Sequence, residues 1–456
     1  MLKPTKVWER LDDGFAAAFW RPEGLLLLYI CVLVHVFGTF KRSPVTNVCY
    51  TGTGRGMNFK TRLAKLERWL ACRCRAVRAL EITSMDNVYS SQTWANVLAV
   101  VVEATHAALR TIDVYLGQRG GTQVALQKGS VLAFSHAINQ CQSLTHLKIC
   151  FLEGYSLCAL DLAALPQSLQ GLELFCAPGH LPGARQFGTD EVKVLDLAVL
   201  RGLPHLTSVV LGPRFPLTCS VPAGLSRLTE LEINSWRGLG FEVGLGMPGL
   251  QRLRLVSHSL QNHVQLPALQ GLLGLTELCV NDRVLVPRDL TPLRFLSKFC
   301  HFAWGEQALT WTPVLPQSLT VLQATGRLQA FPEQALALQQ LAYLHLSDNC
   351  FTALPAGITA LSKLQYLTLG FPEDSHPDNG DPRMRILDAV ALGDLSAFPC
   401  MTTLIFFNCQ VALPHNFGVR RHARLEKVLF DCAQPCRGLS LAALLALHQP
   451  LVGSGR

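Results

Sequence analysis

The stretch that decides the fold runs from Leu341 to Leu369 and reads LAYLHLSDNCFTALPAGITALSKLQYLTL. Its pattern is Leu-x-x-Leu-x-Leu-x-x-Asn-x-Phe-x-x-Leu-Pro, and a second Leu-x-x-Leu-x-Leu begins at Leu364. Successive side chains of a strand point to opposite faces, so Leu344 and Leu346 share one face. The pattern therefore predicts a short strand with a leucine face, a return segment, and then a second strand.

The same frame recurs along most of the chain. Intervals between frames are 21 to 25 residues in nine of eleven cases and 37 in the other two. The long intervals predict surface inserts around Cys176–Asp190 and at Phe371–Met384, and the second of these is rich in Pro, Asp and Gly. Leu-Pro-Gln-Ser-Leu occurs twice, at 165–169 and 315–319, and each copy ends on a frame. Counted from its first apolar residue as position 1, the frame begins at Leu144, Leu169, Leu206, Leu228, Leu250, Leu275, Leu296, Leu319, Leu341, Leu364, Met401 and Leu425, with earlier, wider-spaced matches at Val77 and Leu109.

This frame closely resembles that of the leucine-rich repeat family, whose repeats are 20–29 residues long. The resemblance implies an α/β fold, a leucine-rich-repeat solenoid or horseshoe with a parallel concave β-sheet, a helical or irregular convex side and helical caps. One coil cannot bury its own leucines, so the coils must stack. The asparagine of the family matches at Asn349, whereas Trp236, His258 and Arg283 stand at equivalent places, which predicts irregular coils.

The frame divides the chain into four parts. Residues 1–56 form an amino-terminal segment, and residues 57–76 form a basic amino-terminal cap with leucines at helical spacing. Residues 77–436 form the solenoid, which includes the insert at 371–384. Residues 437–456 include an apolar run that predicts a carboxy-terminal cap helix.

The amino-terminal segment contains an apolar run at residues 24–40. About 20 such residues are needed to span a bilayer, with a lower limit of about 17, so its length is borderline. Three interpretations stay open: a membrane span, a buried hydrophobic segment, or a true start at Met57 that leaves residues 1–56 outside the mature protein. If the run spans, the basic residues after it favour repeats that face the cytosol.

The net charge of +8 is concentrated near the amino terminus. Residues 41–78 carry ten basic side chains and only Glu67 as an acidic one, whereas residues 79–456 carry 26 basic and 27 acidic side chains. The main body therefore lacks the basic surface of a nucleic-acid-binding protein, and no nucleic acid is expected as a partner. The basic segment at 41–78 is interpreted either as a solvated cap with its linker or as a contact with anionic lipid or nucleic acid. Membrane contact through residues 24–40 and 41–78 stays an alternative.

The cysteines and motifs favour a cytosolic protein without catalytic activity. The 16 cysteines are scattered rather than grouped in a tight framework, and no asparagine lies in a glycosylation sequon. No His-Glu-x-x-His, Gly-x-Ser-x-Gly or Walker A pattern occurs. The sequence nominates no catalytic residue, cofactor or metal site.

Positions 3, 5 and 7 of each frame are predicted to point outward from the concave sheet. One group of these positions is charged, and it is either a self-neutralising ladder or a polar recognition patch. A second group is aromatic, and exposed aromatics on a sheet are typical of binding surfaces unless a loop such as the 371–384 insert covers them. The predicted protein-binding residues are Glu230, Glu232, Arg252 and Arg254 in the charged group, and Phe302, Tyr343, His345, Tyr366 and Phe407 in the aromatic group. The charged map also includes Asn234, Glu277 and Asn281.

These features predict a protein-binding scaffold or regulatory module that acts through the concave face. Its partner is another protein of unknown identity. Two alternatives are a membrane-anchored receptor or surface protein with this repeat, and the recognition subunit of a ubiquitin-ligase-type complex. The location is cytoplasmic, or membrane-anchored with the repeats facing the cytosol.

Overall fold

A computed structural model describes the frame-bearing parts of the chain. The described residues are 47–52, 78–84, 102, 108–116, 135–151, 161–176, 194–215, 218–221, 225–235, 239–241, 247–257, 264–266, 271–303, 313–371, 386–393, 395–408, 410–413 and 424–431. The apolar run at 24–40, both predicted caps, most of the basic segment and nearly all of both predicted inserts lie outside them. In the described part, no helix has the length and apolar character needed to cross a membrane.

Short strands account for most of the regular structure. In chain order they are β1 (Asn47–Gly52), β2 (Ala79–Ser84), β3 (Thr111–Leu116), β4 (His146–Phe151), β5 (Gly171–Cys176), β6 (Val194–Asp196), β7 (Ser208–Phe215), β8 (Thr218–Val221), β9 (Glu230–Ser235), β10 (Leu239–Phe241), β11 (Arg252–Ser257), β12 (Val264–Gln265), β13 (Glu277–Asn281), β14 (Val284–Leu285), β15 (Lys298–Phe302), β16 (Val321–Thr325), β17 (Tyr343–Leu346), β18 (Tyr366–Gly370), β19 (Ile386–Asp388), β20 (Thr403–Phe407), β21 (Gln410–Ala412) and β22 (Lys427–Asp431). The return segments contain 3-10 helices at Leu162–Ala164, Leu197–Gly202, Glu333–Ala337, Ala356–Ala360 and Val390–Leu392.

The chain folds into two compact units. The first comprises Met1–Leu228 and Glu232–Gly240, and the second comprises Thr229–Leu231 and Phe241–Arg456. In the first unit, β1, β2, β3, β4, β5 and β7 pair in that order, each parallel to the next. In the second, β11, β13, β15, β16, β17, β18, β20 and β22 do the same.

The predicted parallel sheet is confirmed, and every one of the twelve regular frames is followed by a strand that begins at its position 3. The two earlier matches, at Val77 and Leu109, also lead into strands, β2 and β3. Strand β1 was not predicted, because no leucine frame precedes Asn47.

The core lies behind the sheet, where positions 1, 4 and 6 point inward. In the frame at Leu341 these positions are fully buried, and so are their counterparts in the next coil, with Ile358 beside them from the return segment. Each coil adds its leucines to the apolar layer of its neighbours, which is the burial that a single coil could not achieve. In the described residues the convex layer is irregular, one of the two forms that the resemblance implied: it has short 3-10 helices and the two-stranded pairs β12–β14 and β19–β21.

Hydroxyl groups also link successive coils. The position-2 hydroxyl donates to the position-2 carbonyl of the preceding coil, at 3.0 Å from Thr276 to Gln251 and at 3.0 Å from Thr320 to Ser297. The repeated Leu-Pro-Gln-Ser-Leu motif does something similar. Ser168 Oγ donates to Leu144 O at 2.7 Å, and Ser318 Oγ donates to Leu296 O at 2.8 Å. Both acceptors occupy position 1 of the preceding frame, so the two copies of the motif make the same bond between coils.

Candidate functional site

The outward face of the second unit is the surface to which positions 3, 5 and 7 point. Because the strands are parallel and in register, residues at one position form a row across the sheet. The position-3 row is Glu230, Arg252, Glu277, Lys298, Val321, Tyr343, Tyr366, Thr403 and Lys427. The position-5 row is Arg254, Cys279, Cys300, Gln323, His345, Thr368, Ile405 and Leu429.

The charged end of the position-3 row alternates in sign. Arg252 Nη2 lies 2.8 Å from Glu230 Oε2, and Lys298 Nζ lies 2.5 Å from Glu277 Oε1. The bond to Glu277 raises the pKa of Lys298. The side chains in both pairs are substantially exposed, so each pair contributes at most about 1 kcal/mol. This geometry matches the self-neutralising ladder, one of the two interpretations of the charged group.

The remaining charged candidates are Arg254 and Glu232. Arg254 is exposed in the position-5 row, and its charge acts on Cys300 on β15. Glu232 belongs to the first unit and is half-buried. The predicted charged group therefore divides between the two units.

The aromatic centre of the outward face is a stacked pair of tyrosines. Tyr343 and Tyr366 are register partners on β17 and β18, and their rings stack at 4.2 Å between centroids with 6° between planes. Parallel strands are spaced about 4.8 Å apart, so two rings at one position on neighbouring strands meet face to face. Burial raises the pKa of Tyr343 to about 12, and the neighbouring Tyr366 adds to this shift. The Tyr343 phenol is therefore a neutral hydrogen-bonding group at physiological pH.

His345 lies next to this pair on the position-5 row. Its ring is 6.4 Å from the Tyr343 ring, and its Nε2 lies 2.8 Å from Ser347 Oγ. Burial lowers the pKa of His345, so the imidazole is neutral at pH 7. His345 Nδ1 and Thr368 Oγ1 are buried atoms without a hydrogen-bond partner in the described part of the chain, and the two residues are register partners.

Phe302 and Phe407 lie outside the position-3 and position-5 rows that contain the tyrosine pair and His345. Both occupy position 7, at the ends of β15 and β20, and both are half-buried. A β-carbon at Gly370, the register partner of Phe407, would lie 2.5 Å from the Phe407 carbonyl oxygen and 2.7 Å from its Cβ. Phe407 is therefore packed closely against the backbone of β18. Of the five aromatic candidates, Tyr343, His345 and Tyr366 form one cluster.

Asn234 and Asn281, which were predicted to point outward beside the charged group, are buried. Asn281 is 1% exposed, and its amide bonds to the backbone of Ser257, with Nδ2 2.6 Å from the carbonyl oxygen and Oδ1 3.1 Å from the amide nitrogen. Asn234 is 5% exposed. Their prediction as surface residues was wrong, because position 7 lies where the strand ends and side chains turn toward the neighbouring coil.

Sequence reasoning missed two groups on the outward faces. In the first unit, Lys148 lies 3.9 Å from Asp113 and 3.7 Å from Glu173, and its Nζ is 5.4 Å from the centroid of the Phe175 ring. In the second unit, Cys279 and Cys300 are register partners. Lys148, Cys279 and Cys300 all stand at position 5 of their frames, and this position is the sequence signal that marks both groups.

The described residues contain no group of three or more His, Cys, Asp or Glu side chains placed to hold a metal ion. The outward face of the second unit carries aromatic rings, ion pairs and thiols.

Comparisons with known proteins add three structural likenesses. No protein-family model and no curated protein sequence matches the chain. A leucine-rich-repeat protein of Leptospira interrogans is 16% identical with a TM-score of 0.41, over 87% of this chain and 97% of that one. The circular leucine-rich-repeat protein CroV588 is 14% identical with a TM-score of 0.32, over 79% and 50%. An internalin of Listeria monocytogenes is 13% identical with a TM-score of 0.35, over 76% and 96%.

The identity of the fold follows from the chain's own geometry. Leucine frames recur at the predicted intervals, each leads into a parallel strand, and Asn349 bonds between coils through its amide. With this frame and this sheet, the described part of the chain has the fold of a leucine-rich-repeat solenoid.

Proposed function

We propose that this chain is a protein-binding scaffold or regulatory module without catalytic activity, which contacts its partner through the outward face of the second unit. The observation that carries the proposal is the Tyr343–Tyr366 stack. Two half-buried rings on a sheet face present a rigid apolar surface, and tyrosine is enriched among residues that dominate binding energy.

The surroundings of the stack suit a protein surface. On one side of it, the sheet carries the ion pairs of Glu230 with Arg252 and of Glu277 with Lys298. Interfaces commonly combine an aromatic centre with a polar rim, and charged rims affect the association rate more than the final affinity. We infer that the tyrosines supply most of the affinity and that the charged end orients the partner.

The cysteines support a cytosolic setting for this function. Six cysteines are free thiols: Cys141, Cys150, Cys279 and Cys300, which are buried, and Cys350 and Cys400, which are half-buried. Buried free cysteines are typical of proteins in reducing compartments. We therefore propose that the module works in the cytosol.

The experiment is affinity capture with the full chain and with Tyr343→Ala/Tyr366→Ala. We expect the double variant to lose a specific protein that the native chain retains. The interaction of that protein with the purified chain should then weaken at least about tenfold, as loss of a central aromatic contact predicts.

The matched control is Phe295→Ala. Phe295 is 67% exposed and precedes β15, outside the rows of the outward face. This variant should retain the captured protein, and circular dichroism should show that both variants fold. If the double variant captures the same proteins with the same affinity as the native chain, the tyrosine stack is not the contact surface.

A further inference from the structure

Two cysteines lie side by side on the outward face of the second unit. Cys279 on β13 and Cys300 on β15 are register partners at position 5. Both are free thiols, 6% and 3% exposed. Neighbouring strands are about 4.8 Å apart, which falls within the range of about 4.4–6.8 Å between α-carbons that a disulfide requires. The sheet therefore holds the two sulfurs where they can bond to each other.

The two thiols are not equivalent. The Cys279 thiol lies within hydrogen-bonding reach of the Cys300 sulfur, and this bond lowers the pKa of Cys300. Lys298 on the same strand and Arg254 on β11 act in the same direction, while burial and Glu277 oppose it. For Cys279 the bond to Cys300, burial and the Glu277 carboxylate, 3.9 Å from its Sγ, all raise the pKa. Of the two thiols, Cys300 therefore gives up its proton more readily than Cys279.

Cys141, Cys350 and Cys400 lie in other surroundings, and none of the three stands at position 5 of a frame. Cys141 is fully buried, its Sγ donates to Ala137 O at 3.7 Å, and burial raises its pKa to about 12. Such a thiol is inert, because the thiolate is the reactive form. Cys350 and Cys400 are half-buried and belong to separate coils.

We propose that Cys279 and Cys300 form a redox-active dithiol that reacts with low-molecular-weight disulfides, with Cys300 as the attacking thiolate and Cys279 as the resolving thiol. This chemistry does not depend on a protein partner, so it stands apart from the proposed binding function.

The reaction has two exchange steps. The Cys300 thiolate attacks one sulfur of the external disulfide, forms a mixed disulfide and releases one thiolate, which takes the proton of Cys279. The Cys279 thiolate then attacks Cys300 Sγ, breaks the mixed disulfide and releases the second thiolate, which is protonated by solvent. The protein dithiol is oxidised by two electrons, and the external disulfide is reduced to two thiols.

The test uses the purified full chain and oxidised glutathione as the probe. After the reaction is quenched with acid and free thiols are alkylated, trypsin produces the peptides 255–283 and 299–327, each of which contains one cysteine, Cys279 and Cys300 respectively. We expect these two peptides to appear joined by a disulfide in mass spectra of the native chain. If the joined species is missing, or forms only after the chain is unfolded in urea, the proposal is wrong.

Single variants assign the two roles. Cys279→Ser should trap glutathione on Cys300 as a stable mixed disulfide, whereas Cys300→Ser should leave Cys279 almost unmodified. Cys350→Ser removes a more exposed cysteine and should leave the joined peptides unchanged. Trapping on Cys279 instead of Cys300 would contradict the assigned order of attack.

The rate of alkylation tests the thiolate directly. At pH 7, Cys300 of the native chain should react with iodoacetamide more than about tenfold faster than Cys141, because thiolate content controls the reactivity of a thiol. Lys298→Gln should slow Cys300 at least about threefold, and Lys298→Arg should restore the rate. An equal rate for Cys300 and Cys141 would overturn the assignment of Cys300 as the attacking thiolate.

Discussion

At position 6 of the frame that begins at Leu296, the core contains a histidine. His301 is 7% exposed, and its register partners on the two adjacent strands are Val280 and Ala324. The small side chain of Ala324 leaves room for the imidazole. Burial lowers the pKa of His301 to about 4, because the charged ring would lose its hydration.

This histidine should make the stability of the fold depend on pH. In the unfolded chain the pKa returns to about 6.5, so below that pH the unfolded state binds a proton that the folded state binds only near pH 4. Stability is therefore complete above pH 6.5 and decreases as the pH falls toward 4. Between pH 7 and pH 5 the loss is on the order of 2 kcal/mol.

His301→Leu removes this titration and keeps an apolar side chain of suitable size. Urea unfolding at pH 7 and pH 5 should show a smaller drop in unfolding free energy for the variant than for the native chain. His345 titrates in the same direction, but it is present in both proteins and cancels in the comparison. Equal drops in the two proteins would show that His301 does not control the pH dependence.

A second residue-scale prediction concerns the contact between β18 and β20. A β-carbon at Gly370 would lie 2.5 Å from the Phe407 carbonyl oxygen, which is backbone and cannot swing away. Gly370→Ala should therefore cost about 1–3 kcal/mol, the usual cost of overpacking. Thermal unfolding measures this loss. Gly202→Ala is the control, since nothing lies within 4 Å of its added carbon, and its melting temperature should match that of the native chain.

At the scale of the element, amide side chains join one coil to the next. Asn349 Nδ2 donates to Ala324 O at 2.8 Å, and Asn349 Oδ1 accepts from the Leu328 amide at 3.0 Å. Asn281 makes the corresponding pair of bonds to Ser257 in the coil before its own. Each asparagine satisfies two backbone groups where the strand turns into the return segment, because buried backbone groups need partners.

Asn349→Ala should leave both backbone groups buried and unpaired, at a cost of about 2 kcal/mol or more. Coils of a solenoid contact only their neighbours, so the damage should stay local. We expect hydrogen exchange to accelerate in β16 and β17 and to remain nearly unchanged in β11. Gln339→Ala is the control, because Gln339 is an exposed amide in the preceding coil, the one to which Asn349 bonds. Uniform acceleration across the second unit would contradict this local response.

At the scale of the molecule, chemistry is distributed along the rows of the sheet. In the second unit the position-3 row changes from ion pairs at Glu230 and Glu277 to the rings of Tyr343 and Tyr366. The position-5 row changes from the two cysteines to His345 and Thr368. One end of the face therefore carries the ion pairs and the two cysteines, and the other end carries the aromatic rings. The proposed protein-binding surface and the proposed dithiol lie at different places on this face.

The amino-acid sequence alone determined the repeat frame, the parallel sheet, and which strand positions point inward or outward. These follow from leucine spacing, since apolar residues must be buried and alternate residues of a strand face opposite ways. The frame placed Tyr343 and Tyr366 at position 3 of consecutive coils, so their meeting was already implied. It could not show β1, which has no leucine frame before it.

Only the tertiary structure decided what each outward residue touches. Asn281 stands at a position where alternation predicts an outward side chain. At the end of its strand, however, this side chain turns and bonds to Ser257 in the preceding coil. Cys279 and Cys300 are 21 residues apart in the chain and become neighbours because their strands pair in register. The reason is physical. The face to which a side chain points is set within its own strand, whereas hydrogen bonding, stacking and thiol chemistry depend on the coil that packs beside it.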